Sequence, residues 1–177
     1  MINVLALIQV RAFARQDGFF LFLVWAASFL AVVNAPTSSW GSLLALSTPF
    51  FVGWRLVSFR NYALDGVISF RRALVYTFYT FFYASLLFAV AQFIYFRFFD
   101  GGQLIASVKG AIDQLAPAYE ASGISVSQLQ QSIGAIASLT PIELSFIFMM
   151  QNFFFGIIIS FPIAAVCQRS KPNNYLR

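Results

Sequence analysis

Residues 18–54 read GFFLFLVWAASFLAVVNAPTSSWGSLLALSTPFFVGW, thirty-seven consecutive residues without a charged side chain. Two further uncharged runs cover residues 73–96 and 144–168. A hydrocarbon core about 30 Å thick takes about 20 apolar helical residues to cross, and only helices or closed barrels satisfy the backbone hydrogen bonds inside it. The sequence therefore predicts an all-α, polytopic membrane protein.

The composition agrees with a membrane protein, because 60% of the residues are apolar and only 10% are charged. Histidine is absent, and Cys167 is the single cysteine. Since histidine is the commonest metal ligand and the commonest general base, and one thiol forms no disulfide or metal cluster within a chain, we expect no metal and no other cofactor. Nucleic-acid binding is not expected either, because no compact basic surface carries stacking or base-reading groups.

The first run is too long for one span, and residues 34–39 contain the Asn, Pro, Ser and Thr that favour a turn. We therefore predict a single membrane domain over residues 1–177, with transmembrane helices at 18–34, 40–59, 69–98 and 141–168. Pro49 lies inside the second helix and should kink it. Residues 1–16 form either an amphipathic segment on the membrane surface or a solvated start to the first helix.

Residues 100–140, between the third and fourth helices, carry two apolar stripes at helical spacing. The stripes are Leu104, Val108, Ile112, Leu115 and Tyr119, then Leu129, Ile133 and Ile136. We expect two short amphipathic helices there, the second with a capping box of Ser125 and Gln128 and a hydrophobic staple of Ile124 and Leu129. They either pack on their own bundle or dock a partner.

The fourth helix has a sharp predicted start at residues 140–143, which read TPIE. This is a capping box with proline at the first helical position. Glu143 is therefore interpreted as a cap rather than as a catalytic acid.

The positive charges predict the orientation of the four spans. Nine basic residues fall on one side, and only Arg97 and Lys109 fall on the other. The positive-inside rule places both termini in the cytoplasm of a bacterial inner membrane and residues 100–140 outside. Arg60, Arg71 and Arg72 then flank a short loop at the inner leaflet, and we expect them to contact anionic lipid or an acidic partner.

Small and polar residues recur within the predicted spans. Gln92, Gln151, Asn152, Gly156 and Ser160 form the candidate polar or helix-packing site. Small residues let helices approach closely, and amides hydrogen-bond across the contact, so packing is the favoured interpretation and a polar substrate site is the alternative. No charged side chain lies at the middle of a predicted span, which disfavours an ion-coupled transporter.

Several short motifs, taken in order, resemble a known family. They include residues 66–70 (GVISF), 95–100 (YFRFFD), 140–141 (TP) and 156–160 (GIIIS), followed by a basic tail. The chain resembles domain of unknown function 4199, a family of small bacterial membrane proteins, over nearly its whole length. The resemblance implies a four-helix inner-membrane protein, often encoded near a family 2 glycosyltransferase, and it transfers no catalytic residues.

Three classes of function are compatible with these features. The first is a non-catalytic membrane subunit that anchors or assembles a partner in the cell envelope. The second is a passive carrier or channel for a lipid-linked or small polar molecule, built as a homo-oligomer because four helices enclose little volume. An integral membrane enzyme is the weakest of the three, because no catalytic constellation is present in the sequence.

Overall fold

The computed structural model describes residues 4–35, 38–123 and 125–169. In this part of the chain, seven helices follow one another: α1 (Val4–Asn34), α2 (Trp40–Leu46), α3 (Thr48–Ala63), α4 (Phe70–Phe98), α5 (Gln103–Ala121), α6 (Val126–Ala137) and α7 (Pro141–Cys167). Within these ranges the single β-type pairing is an antiparallel bridge between Ile68 and Arg169. The all-α prediction is confirmed.

Among the described residues, three helices are long and apolar enough to cross a membrane: Leu7–Asn34, Phe70–Phe98 and Pro141–Cys167. Helices α2 and α3 meet the same test together but are bent by 41° at the break between them. The chain thus has three to four candidate spans, as in a multi-pass membrane protein. The kink expected at Pro49 is confirmed, and the helix breaks at Ser47, two residues before the proline.

The first helix differs from its predicted bounds, because α1 begins at Val4 and not at Gly18. Its 31 residues extend for about 46 Å, which exceeds the thickness of a hydrocarbon core. Val10 and Ala14 are fully buried. Residues 4–16 are therefore the packed beginning of α1 rather than a separate surface segment. The turn residues Pro36 and Thr37, and the basic tail from Ser170 onward, lie outside the described residues.

Two compact units divide the chain. The first comprises Met1–Phe88 and Met149–Arg177, and its core contains side chains from α1, α3, α4 and α7. Aromatic rings dominate this core. Phe59 stacks on Tyr76 with ring centroids 4.9 Å apart and an interplanar angle of 7°, and Trp25 stacks on Phe81. Such contacts hold α3 and α1 against α4.

Three glycines let helices of the first unit approach closely. A Cβ added to Gly18 would lie 2.8 Å from Tyr83 Cβ, and one added to Gly41 would lie 2.4 Å from Val32 Cγ2. A Cβ on Gly156 would lie 2.5 Å from Phe81 Cγ. These positions exclude any larger residue without movement of the helices, as expected where small residues line a helix contact.

The second unit, Ala89–Phe148, contains the two helices predicted between the third and fourth spans. They contact each other, and Gln130 Nε2 on α6 donates to Asp113 Oδ1 on α5 at 3.0 Å. The buried Asp100 accepts hydrogen bonds from the backbone N–H groups of Gly102 and Leu104, both at 3.0 Å, and so stabilises the start of α5.

One predicted cap is confirmed and the other is wrong. Thr140 N–H donates to Glu143 Oε2 at 2.8 Å, which forms the capping box of α7. At α6, Ser125 makes no side-chain cap, because its hydroxyl bonds the Ser127 hydroxyl at 2.8 Å instead. The staple expected between Ile124 and Leu129 involves Ile124, which lies outside the described residues.

Candidate functional site

An ion pair whose carboxylate is buried, together with a tyrosine, joins three helices of the first unit. Asp17 on α1 is 1% exposed, and its Oδ1 accepts a hydrogen bond of 2.6 Å from Arg55 Nε on α3, as well as a contact from Arg55 Nη2. Its other oxygen, Oδ2, accepts a hydrogen bond from the hydroxyl of Tyr76 on α4. Both oxygens of the carboxylate are therefore engaged by donors from two other helices.

Two aromatic rings lie beside the cation of this pair, whose side chain is 23% exposed. The Arg55 guanidinium carbon lies 5.4 Å from the centroid of the Phe20 ring and 5.6 Å from that of Trp54. Contacts of this kind stabilise a cation that has lost part of its water. Arg55 and Tyr76 occupy both carboxylate oxygens, and two rings flank the guanidinium. These contacts connect α1, α3 and α4, and we call Asp17, Arg55 and Tyr76 the Asp17 clamp.

Sequence analysis did not identify Asp17, because the first helix was expected to begin one residue later. The structure corrects this, because Asp17 lies inside the candidate span Leu7–Asn34, ten residues after its first residue. The sequence signal that could have identified Asp17 is its helical spacing with Val10, Ala14 and Leu21. In the structure all four side chains are buried.

Further polar contacts gather at the same end of the bundle. Arg11 on α1 donates to the Tyr79 hydroxyl on α4 from Nη2 at 2.6 Å and from Nε at 2.9 Å. Gln9 accepts from Arg72 Nη2 at 2.7 Å and donates to the Ala63 carbonyl at 3.3 Å. The start of α1, the end of α3 and the start of α4 are thereby tied together.

The three arginines expected at a lipid or partner surface lie in different settings. Arg60 Nη1 donates to the Cys167 carbonyl at 2.8 Å, and Arg72 is engaged by Gln9 with its guanidinium 6.0 Å from the centroid of the Phe59 ring. Arg71 is exposed. Their contact with anionic lipid or with a partner stays a prediction.

The predicted amide and small-residue site is distributed over both units. Gln92, in the second unit, is 3% exposed, and its Oε1 has no hydrogen-bond partner among the described residues. In the first unit, Gln151 is exposed, Asn152 is half-buried, and the buried Ser160 donates to the Gly156 carbonyl at 2.7 Å. The role of these residues, in packing or in a polar site, stays a prediction.

An apolar groove of about 430 Å³ separates α3 from α7 within the first unit. Its rims include the strongly exposed side chains of Phe50, Trp54 and Val166. The full lining consists of Pro49, Phe50, Gly53, Trp54 and Val57 from α3, and Ile159, Pro162, Ile163, Val166 and Cys167 from α7. Sequence analysis did not single out this groove, because it depends on how two distant helices meet.

The described part of the chain contains no group of three or more His, Cys, Asp or Glu side chains that could hold a metal ion. Two features of this part remain as candidate sites: the Asp17 clamp and the apolar groove between α3 and α7.

Comparison with curated proteins and comparison with solved structures each gave no match. The family described as protein of unknown function (DUF4199) matches residues 16–169. This range includes the clamp, both walls of the groove and the α5–α6 pair, and it agrees with the motifs noted in the sequence. The chain therefore belongs to the DUF4199 family.

Proposed function

We propose that this protein is a non-catalytic subunit of the bacterial cytoplasmic membrane that uses its α5–α6 pair to bind a partner membrane protein. The main support is the solvent exposure of helix α5. This helix is 19 residues long and amphipathic, yet none of its residues is buried.

The exposed apolar side chains of the pair form one candidate surface. Val108 and Leu115 are seven residues apart on α5, so they lie on the same side of the helix, and they are 40% and 49% exposed. Ile136 on α6 is 44% exposed. Amphipathic helices normally bury their apolar stripe, which supports a partner for this one.

The charges of the pair favour a protein partner over a lipid surface. Helices that lie on anionic membranes carry many Lys and Arg residues on their polar face. Helix α5 has one cation, Lys109, against Asp113 and Glu120, and α6 has no charged residue. An anionic bilayer surface would gain little from this pattern, whereas a weakly charged protein surface fits it.

A structural use of the carboxylates supports a non-catalytic role. Asp17 is occupied by Arg55 and Tyr76, and Glu143 caps α7. The resemblance to a family often encoded near family 2 glycosyltransferases makes such an enzyme of the cell envelope the first partner to test.

Contacts within the first unit support four crossings. Gln9, near the start of α1, bonds to Ala63 at the end of α3, so the α2–α3 pair returns to the side from which α1 begins. A re-entrant pair would end on the opposite side. With the excess of basic residues, this arrangement supports cytoplasmic termini and an external α5–α6 pair.

The test is purification of the full-length protein from its native membranes in a mild detergent. We expect one membrane protein to accompany it in a constant ratio. Leu115→Lys should reduce that recovery at least about tenfold, as for the loss of a central interface anchor. The matched control is Gln114→Lys, at an exposed position on another side of the same helix, and it should leave recovery unchanged.

Equal recovery with Leu115→Lys and Gln114→Lys would refute docking through α5. A homo-oligomer with no second protein would refute the subunit proposal and favour the alternative, a passive carrier or channel formed by several copies.

A further inference from the structure

Glycine and proline residues leave space between α3 and α7, and this space is the groove. Gly53 has no side chain, and a Cβ added there would meet only Cys167 Sγ, at 3.8 Å. Pro49 and Pro162 face the groove from opposite walls. The lining residues are apolar or, like Trp54 and Cys167, only weakly polar, so the groove favours hydrocarbon over water.

The length of the groove suits part of a chain rather than a whole helix. On each wall it extends over nine residues, from 49 to 57 and from 159 to 167, or about 12 Å of helix axis. A transmembrane helix needs about 30 Å of contact to be covered along its span. The volume, about 430 Å³, lies within the range of small-molecule sites.

Positive charge is concentrated at one end of the groove. Arg60 bonds the carbonyl of Cys167, a lining residue, which places its guanidinium at that end. Arg169 follows two residues later with an exposed side chain, while its backbone pairs with Ile68 at 2.9 and 3.0 Å. Arg71, three residues after Ile68 in the sequence, is also exposed. Asp65 is the single acidic residue between Arg60 and Arg71.

We propose that this groove binds one acyl chain of an anionic glycerophospholipid, whose phosphate is bound by Arg60 and Arg169. The apolar slot accepts the chain, and the backbone of Arg169, paired with Ile68, places the start of an exposed cationic side chain two residues beyond the groove. Basic pockets between transmembrane helices at the cytoplasmic side bind anionic headgroups in this way. The site is separate from the α5–α6 surface, and neither proposal depends on the other.

The experiment measures the lipids retained by the full-length protein after reconstitution with equal amounts of phosphatidylglycerol and phosphatidylcholine. Native mass spectrometry should show one retained phosphatidylglycerol per chain. Arg169→Gln should lower the preference for phosphatidylglycerol about fivefold, the factor expected for one cation near the headgroup. This variant keeps the backbone pairing with Ile68, so the fold should be preserved.

A second variant tests the slot itself. Gly53→Leu places a side chain in the groove and should reduce retention of the lipid about tenfold. Gly110→Leu is the matched control, since a Cβ at Gly110, outside the groove on α5, meets nothing within 4 Å. If Gly53→Leu fails to fold, Val166→Trp fills the groove from the other wall at a side chain that is 84% exposed.

Unchanged retention in the groove-filling variants would refute the proposal, as would an unchanged lipid preference in Arg169→Gln. A lipid-free dimer in the same spectra would mean that a second copy fills the groove, and this result would also overturn it.

Discussion

Asp17 shows how one buried charge is accommodated in this bundle. A carboxylate removed from water is very unfavourable unless its lone pairs are matched, and here Arg55 and Tyr76 match both oxygens. The pair is therefore weak evidence for net stability. The loss of one partner, however, leaves the other charge buried and uncompensated.

We expect Asp17→Asn to lower the free energy of unfolding by about 3 kcal/mol, the lower end of the range for breaking a buried pair, because the Arg55 side chain that loses its counter-charge is 23% exposed. Thermal unfolding in one detergent measures the change. The exposed Asp65, whose φ of 51° asparagine also tolerates, provides the control Asp65→Asn, which should have little effect. The double variant Asp17→Asn/Arg55→Gln should be less destabilised than the sum of its single variants, and simple additivity would contradict a coupled pair.

Gly156 lies where packing leaves no room for a side chain. Gly156→Leu should lower the free energy of unfolding by several kcal/mol, because even its Cβ would overlap the Phe81 ring. Overpacking typically costs about 1–3 kcal/mol, and we expect a loss at least that large. Ile158→Leu, at a side chain that is 49% exposed, should be nearly silent. The comparison uses melting temperatures in detergent, and equal values for the two variants would contradict close packing of α4 on α7.

Sequence reasoning identified Gly156 but missed Asp17, for a physical reason. Gly156 belongs to a four-residue repeat of small residues that can be recognised within one helix. The significance of Asp17 depends on Arg55 and Tyr76, which come from other helices and meet it only in the folded chain. The groove between α3 and α7 was missed for the same reason, since neither wall forms it alone.

At the scale of elements, local chemistry predicted some helix ends better than others. The Thr140 box and the Pro49 kink were predictable because proline and the capping pair act on the adjacent backbone. The absence of a cap at α6 was not predictable, because the Ser125 hydroxyl can bond either the backbone of α6 or the Ser127 hydroxyl. It bonds Ser127. Asp100, whose carboxylate binds the start of α5, was not recognised as a cap from its position in the sequence.

Thr140 caps its helix and Ser125 does not, so substitution of these two residues should affect helix stability differently. Thr140→Ala should destabilise the first turn of α7 by about 1 kcal/mol, as for the loss of an N-cap side chain. Ser125→Ala should leave α6 almost unchanged, because its hydroxyl does not cap the helix. Amide hydrogen exchange at residues 142–144 and 126–129 measures both, and equal protection changes at the two ends would argue against this assignment.

At the scale of the whole molecule, the number of crossings determines which loops share a compartment. Reporter fusions after Gly66 and after Arg177 should both give a cytoplasmic signal, and a fusion at Gly123 should give an external one. The reason is the excess of basic residues at one end of the spans, together with the Gln9 to Ala63 contact. A cytoplasmic signal at both Gly66 and Gly123, which flank α4, would contradict four crossings.

The single cysteine makes the groove open to chemical labelling in the unmodified protein. Cys167 is 8% exposed and lines the groove, with its Sγ 3.8 Å from the Gly53 carbonyl oxygen. Because Cys167 lines the groove, hydrocarbon in the groove should hinder a membrane-permeant thiol reagent. Its labelling should therefore be slow in lipid and faster after delipidation in detergent, with Cys167→Ala as the background. The chain thus carries its own covalent reporter of what occupies the slot between α3 and α7.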